Sequence, residues 1–173
     1  MDREEKLYYL IDNLRSLPDE LADEGIEILV QANETEYAVV LARDKGKIEK
    51  AIEILVDARD YLWAALIARN AGMEAESYRL YQEGLGYYIG MEMFGRAISA
   101  ATALKMPQEE IEALYMKGVE VESRGMNLDG ARGMIESAME SIELATIGRD
   151  DETSREVQNA IEGMRRDQKG NEK

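Results

Sequence analysis

The residues whose types and spacing could do chemistry are, first, acids at helical spacing. Glu109 with Glu112, and Glu120 with Asp129 near it, could bind a hard cation such as Mg²⁺ or act as an acid and base pair. The rest of the chain gives that chemistry no support. With no His and no Cys, thiol nucleophiles, Ser-His-Asp triads, zinc fingers and the Glu-x-x-His sites of di-iron bundles are all excluded. Solvated helix faces explain the acids more simply. The stretch GLGYYIG over residues 84–90 resembles a phosphate loop only superficially, because no strand precedes it and no Lys-Ser/Thr follows. It is expected to be a helix with close contacts. Ten Met residues, among them Met91, Met93 and Met106, read as adaptable core filling, with a Met-lined peptide patch as the alternative. No catalytic residue, metal or cofactor is expected.

Tyrosine is the second concentration. Tyr78, Tyr81, Leu85 and Tyr88 follow one another at three or four residues and would share one face of a helix. Two readings are open: a face that captures a ligand, or packing between helices with the hydroxyls at the rim. Tyr87 is expected in the core.

The balance of charge narrows the partners. Lys and Arg number 21 against 36 Asp and Glu, a net charge of −15, so the field repels phosphate backbones and anionic lipid. Nucleic acid and membrane are not expected partners. Residues 1–36 carry eleven acidic and three basic side chains, whereas residues 149–173 carry seven and six. No apolar run approaches the roughly 20 residues that span a bilayer, and MDREEKLYYL lacks the features of a signal peptide. A soluble cytoplasmic protein is expected, and 173 residues suit one domain or one short repeat array.

The elements that must position these residues are helices. Strand formers are scarce, with seven Val, four Thr and one Phe, while Ala, Leu, Glu, Met and Ile recur three and four apart. Pro18 and Pro107 each stand where a helix should begin, and Asn33 with Glu36 has the spacing of a capping box. Gly46, Gly72, Gly90 and Gly125 each close an apolar-periodic segment. The pattern predicts about ten helices, over residues 2–16, 18–32, 34–45, 47–58, 60–71, 74–89, 92–105, 107–124, 127–147 and 151–168. Connections of two to four residues make neighbours antiparallel hairpins.

The hairpins repeat. Leu80-Tyr81 recurs as Leu114-Tyr115, Gly84 as Gly118 and Ala97 as Ala131, each 34 residues on. Tyr61, Ala64, Ala68 and Ala71 have the mutual spacing of Phe94, Ala97, Ala101 and Leu104, and of Leu128, Ala131, Ile135 and Ala138. AVVLARDKG (38–46) echoes AALIARNAG (64–72) at the different shift of 26. Small residues at Ala64, Ala97 and Ala131 let helix backbones approach, and Tyr61, Phe94 and Leu128 fill the space beneath each turn. Gly84 and Gly118 lie inside helices at about 1 kcal/mol each relative to Ala, which a close contact would offset.

A 34-residue hairpin with a small residue midway along its first helix, and an aromatic-x-x-Ala opening its second, resembles the tetratricopeptide repeat. The resemblance covers residues 58–147 and, more loosely, the degenerate stretch 34–57, with residues 1–33 as an N-terminal hairpin. Residues 148–173 would be a capping helix, with Val157, Ile161 and Met164 on one stripe, and a frayed tail. The resemblance implies an all-α, right-handed superhelix of stacked antiparallel hairpins. It also implies that the face of Tyr78, Tyr81, Leu85 and Tyr88 lines a concave groove, which Tyr115, Val119 and Glu122 continue. The Lys and Asn clamp by which some tetratricopeptide-repeat proteins hold a terminal carboxylate is absent, since Tyr81, Leu85, Tyr115 and Val119 stand at the corresponding positions.

The expected function is a non-enzymatic protein-interaction module, holding a basic or apolar peptide or helix in that groove. The alternatives are a self-assembling homo-oligomer subunit and, third, an enzyme of unknown type.

Overall fold

In a computed structural model, residues 1–124 and 135–136 are described. Among them the chain is all-helical, with no strand and eight α-helices. These are α1 (Arg3–Asp12), α2 (Ala22–Gln31), α3 (Thr35–Asp44), α4 (Ile48–Asp57), α5 (Tyr61–Asn70), α6 (Glu74–Gly90), α7 (Phe94–Ala103) and α8 (Gln108–Glu122). Of the helix expected over 127–147 only residues 135–136 are described, and they are helical; the helix expected over 151–168, and Gly125, Leu128, Asp129, Ala131 and Ala138, lie outside the described residues. So does the capping stripe.

Helix α1 begins with a reciprocal capping box. The Glu5 N–H donates to Asp2 Oδ1 at 2.8 Å, and the Asp2 N–H donates to Glu5 Oε2 at 3.0 Å. The single helix expected over 2–16 is broken: Asn13 turns its side-chain amide back to the Tyr9 carbonyl at 2.9 Å, and Leu14–Ser16 continue as a 3₁₀ turn. Pro18 opens a second 3₁₀ turn, Asp19–Leu21, and the α-helix proper begins at Ala22. Pro107 caps the start of α8 as expected.

Helices α3, α4 and α5 are each ten residues long and start thirteen residues apart, and α6 follows thirteen residues after α5. One termination motif recurs between them. The N–H groups of Glu34, Lys47, Asp60 and Met73 donate to the carbonyls of Leu29, Ala42, Leu55 and Ala68, five residues back. Asn33, Gly46, Arg59 and Gly72 sit just before those donors with positive φ, the arrangement that satisfies a helix's last carbonyls. Met93 and Met106 repeat the bond to Tyr88 and Ala101, behind left-handed Glu92 and Lys105.

This geometry corrects two expectations. Asn33 closes α2 in the left-handed conformation instead of capping α3, whose first turn receives no side-chain bond. Glu92, not Gly90, carries the turn after α6. Over residues 34–57 the chain makes two copies of a thirteen-residue helix and turn, and the echo 38–46 to 64–72 falls at twice thirteen. Among the described residues the 34-residue period appears from the start of α6 to the start of α8.

The chain divides into two compact units, Met1–Ser77 and Tyr78–Lys173, with the boundary inside α6. In the first unit each helix packs on the next, α1 on α2, α2 on α3, α3 on α4 and α4 on α5. A column of small side chains makes this possible: Ala38, Ala51 and Ala64 occupy the same place in successive copies and are fully buried. Ser77 takes the fourth place, and its hydroxyl donates to the Ala65 carbonyl at 2.7 Å, so the polar atom is satisfied inside the packing. Helix α5 is apolar all round and buried from Tyr61 to Ala68. In the second unit α7 packs on α8, and Ile98, Ala101, Ile111, Tyr115, Val119 and Ile135 form the core. Leu85 and Met106 pack against it, whereas Met91 and Met93 are exposed and do not fill core space.

Candidate functional site

In the first unit an open cleft of about 730 Å³ lies between α2 and α4. It exists because α3 lies behind both helices and holds them one helix apart. From α2 the cleft receives Asp23, Ile26, Glu27, Val30 and Gln31, and from α4 it receives Lys50, Glu53, Ile54, Asp57 and Ala58. Asn33 and Thr35 close the end at the α2–α3 turn. Both rows recur at three and four residues, so each helix turns one continuous strip of side chains to the opening.

The strips are amphipathic in the same sense. Ile26 and Ile54 are almost fully buried and form the floor, and Val30, 40% exposed, extends it into solvent. The carboxylates of Asp23, Glu27, Glu53 and Asp57 stand along the two rims with one cation, Lys50, among them. Their pairing is loose. Lys50 Nζ lies 3.4 Å from Glu53 Oε1, Lys47 Nζ lies 2.8 Å from Asp23 Oδ1, and Gln31 donates to Glu27 Oε1 at 3.2 Å. All these partners are substantially exposed, so each bridge contributes little and can be exchanged for another cation.

Outside the cleft a lysine joins two connections of the first unit. Lys45 Nζ, 16% exposed, donates to the Leu17 carbonyl and to Asp19 Oδ1 at 2.9 Å. The hydrogen bond and charge of Lys45, with a smaller contribution from Lys47, hold the Asp19 carboxyl below the usual carboxylate range. These contacts tie the turn after α3 to the chain that enters α2.

The tyrosine row is distributed otherwise than the groove expectation requires. The buried stripe of α6 runs through Ser77, Leu80, Tyr81, Gly84 and Tyr88, rotated around the helix from the expected row. Tyr88 is wholly buried, with Tyr87 edge-on at 5.6 Å and the Arg96 guanidinium over its ring at 5.7 Å. Tyr81, Tyr115 and Val119 are buried as well, and Leu85 and Glu122 are half-buried. Tyr78 alone of the row is well exposed, at 56%. Tyr87, expected in the core, is half-buried and less enclosed than its neighbour Tyr88.

The acids considered as a cation site, Glu109, Glu112 and Glu120, are exposed on α8. Among the described residues no three His, Cys, Asp or Glu side chains come together closely enough to hold a metal ion, and no helix is long and apolar enough to cross a membrane. The α2–α4 cleft was missed in the sequence because its two strips belong to helices separated by a third. The signal that could have found it is the outward pattern of α4, where Lys50, Glu53 and Asp57 follow each other at three and four residues. The chain matches no protein-family model, no curated protein and no solved structure.

Proposed function

We propose that this protein is a non-enzymatic protein-interaction module, and that its receptor surface is the α2–α4 cleft. The observation that carries the reading is the coincidence, in one concavity, of an apolar floor at Ile26, Val30 and Ile54 with carboxylates along both rims. Apolar floors bind by desolvation, and charged rims select and orient what is bound. The hairpin array is taken to be a right-handed superhelix similar to tetratricopeptide-repeat proteins, and cytoplasmic residence is part of the same proposal. The 34-residue interval from α6 to α8 and the close passage of Gly118 by Phe94 support that likeness. The thirteen-residue helix-and-turn copies of the first unit are shorter than half of a 34-residue hairpin.

Selection of peptides from a displayed library tests the reading. Peptides enriched on the wild-type protein should lose binding to Val30→Asp, a substitution at a position exposed enough to leave the fold intact. Enriched peptides that bind both proteins equally would overturn it.

A second reading, self-association, has one specific observation in its favour. Met1, Tyr8, Tyr9 and Leu21 are exposed at the α1 end of the first unit, where Met1, Tyr9 and Leu21 line a small apolar cleft of about 190 Å³. Light scattering across a concentration series decides it, since a monomer at every concentration removes this reading.

A further inference from the structure

The chemistry of the cleft also specifies the form of its occupant, given the reading that the cleft is the receptor surface. We infer that the partner is a short basic amphipathic α-helix laid lengthwise between α2 and α4.

Charge sets the sign. The lining holds Asp23, Glu27, Glu53 and Asp57 against Lys50, with Lys47 paired to Asp23 beside it, a local excess of two negative charges inside a chain of net charge −15. An acidic occupant would bring like charges together across a partly desolvated groove, and a neutral one would leave the rim carboxylates facing apolar surface. Lys and Arg on both flanks of the occupant would replace Lys47 and Lys50 at Asp23 and Glu53, and would add a cation at Asp57 and at Glu27, which now accepts from Gln31.

Backbone hydrogen bonding sets the conformation. Both walls are helices whose interior N–H and C=O groups are already bonded within the helix, so the cleft has no sheet edge along which an extended peptide could pair. A segment pressed on the floor of Ile26, Val30 and Ile54 must therefore satisfy its own backbone, which a helix does. Length agrees: from Asp23 to Gln31, and from Lys50 to Ala58, each wall runs for about 12 Å, or roughly two turns. Apolar residues at i, i+4 and i+7 of the occupant would meet the floor, with basic residues on either side.

Fluorescence anisotropy on the full chain tests this with three labelled synthetic peptides. The first is a Leu/Lys amphipathic helix, the second carries the same residues with a central proline, and the third replaces Lys by Glu. The first should bind, the second should bind about tenfold or more weakly, and the third should not bind. The double variant Glu53→Lys with Asp57→Lys, both at exposed positions, should lose about tenfold or more in affinity for the first peptide while keeping its circular dichroism spectrum. If the proline peptide binds as well as the helix and both are lost in the variant, the cleft stands and the helical occupant is overturned. If the helix binds wild type and variant alike, the cleft itself is overturned. Failure of the first peptide to bind overturns the inferred occupant.

Discussion

The backbone of Gly118 on α8 passes so close to α7 that a Cβ placed on it would stand 2.8 Å from the Phe94 Cβ and 3.1 Å from Ile135 Cδ1. No side chain fits at that separation without displacement of one helix. Gly118→Ala should therefore destabilise the protein by about 1–3 kcal/mol, despite the better helix propensity of Ala. Gly86, on α6, is the control, since a Cβ there meets nothing within 4 Å. Gly86→Ala should stabilise by up to about 1 kcal/mol. Urea unfolding followed by circular dichroism reads both. Shifts of the same sign in the two variants would contradict the close passage.

Tyr88 and Tyr78 separate packing from surface on one helix. Removing the buried ring in Tyr88→Ala leaves a cavity and should cost about 3 kcal/mol or more, which at this chain length lowers Tm by several degrees. Tyr78→Ala should stay within about 0.5 kcal/mol of wild type. Calorimetry checks the pair. A Tyr88→Ala protein that melts with wild type would return that ring to the groove.

Asp19 makes part of the stability depend on pH. Its folded pKa lies below its ordinary value of 3.8 because Lys45 bonds to and charges its surroundings. A carboxyl lowered in this way stabilises the fold fully above its unfolded pKa, and the contribution is lost as pH falls through the folded value. Asp19→Asn should therefore flatten the fall in Tm below about pH 4 and leave a small constant deficit above it. Melting curves from pH 2 to 7 measure this. Parallel curves for wild type and variant would show that the Lys45 contact does not persist in solution.

Much of the helical frame is legible in the sequence, for reasons that particular residues supply. Pro107, Gly46 and Gly72 mark boundaries because their backbones favour them, and α3, α4 and α5 fall within a residue of the expected ends. The turns at Asn33, Arg59, Glu92 and Lys105 are hidden, since three of these side chains have no preference for the left-handed region that they occupy. Their conformation is imposed by the packed helices on either side. The first hairpin misleads because an unbroken apolar spacing over residues 2–16 says nothing of the bond by which Asn13 ends α1. The tyrosine row misleads in another way. Spacings of three and four define a face only to within a broad arc, and the small residues Ser77 and Gly84, which an apolar count passes over, draw the true core stripe to their side. The cleft depends on which helices become neighbours across α3, and that is a tertiary fact.

Salt should weaken capture of a basic helix. The rim bridges are exposed, and raising ionic strength from about 0.1 M to about 1 M shortens the screening length from about 10 Å to about 3 Å. Affinity for the Leu/Lys peptide should fall severalfold across that range, with most of the change in the association rate. Stopped-flow mixing at several salt concentrations reads it. An association rate that does not respond to salt removes the carboxylate rims from recognition.

The most direct test places the bound peptide on the surface. In amide ¹H–¹⁵N spectra of the labelled protein titrated with the Leu/Lys helix, the largest shifts should fall on α2 and α4, around Val30, Ile54 and Asp57. Shifts centred instead on Tyr78 and its neighbours, with α2 and α4 unmoved, would contradict the cleft as the receptor surface.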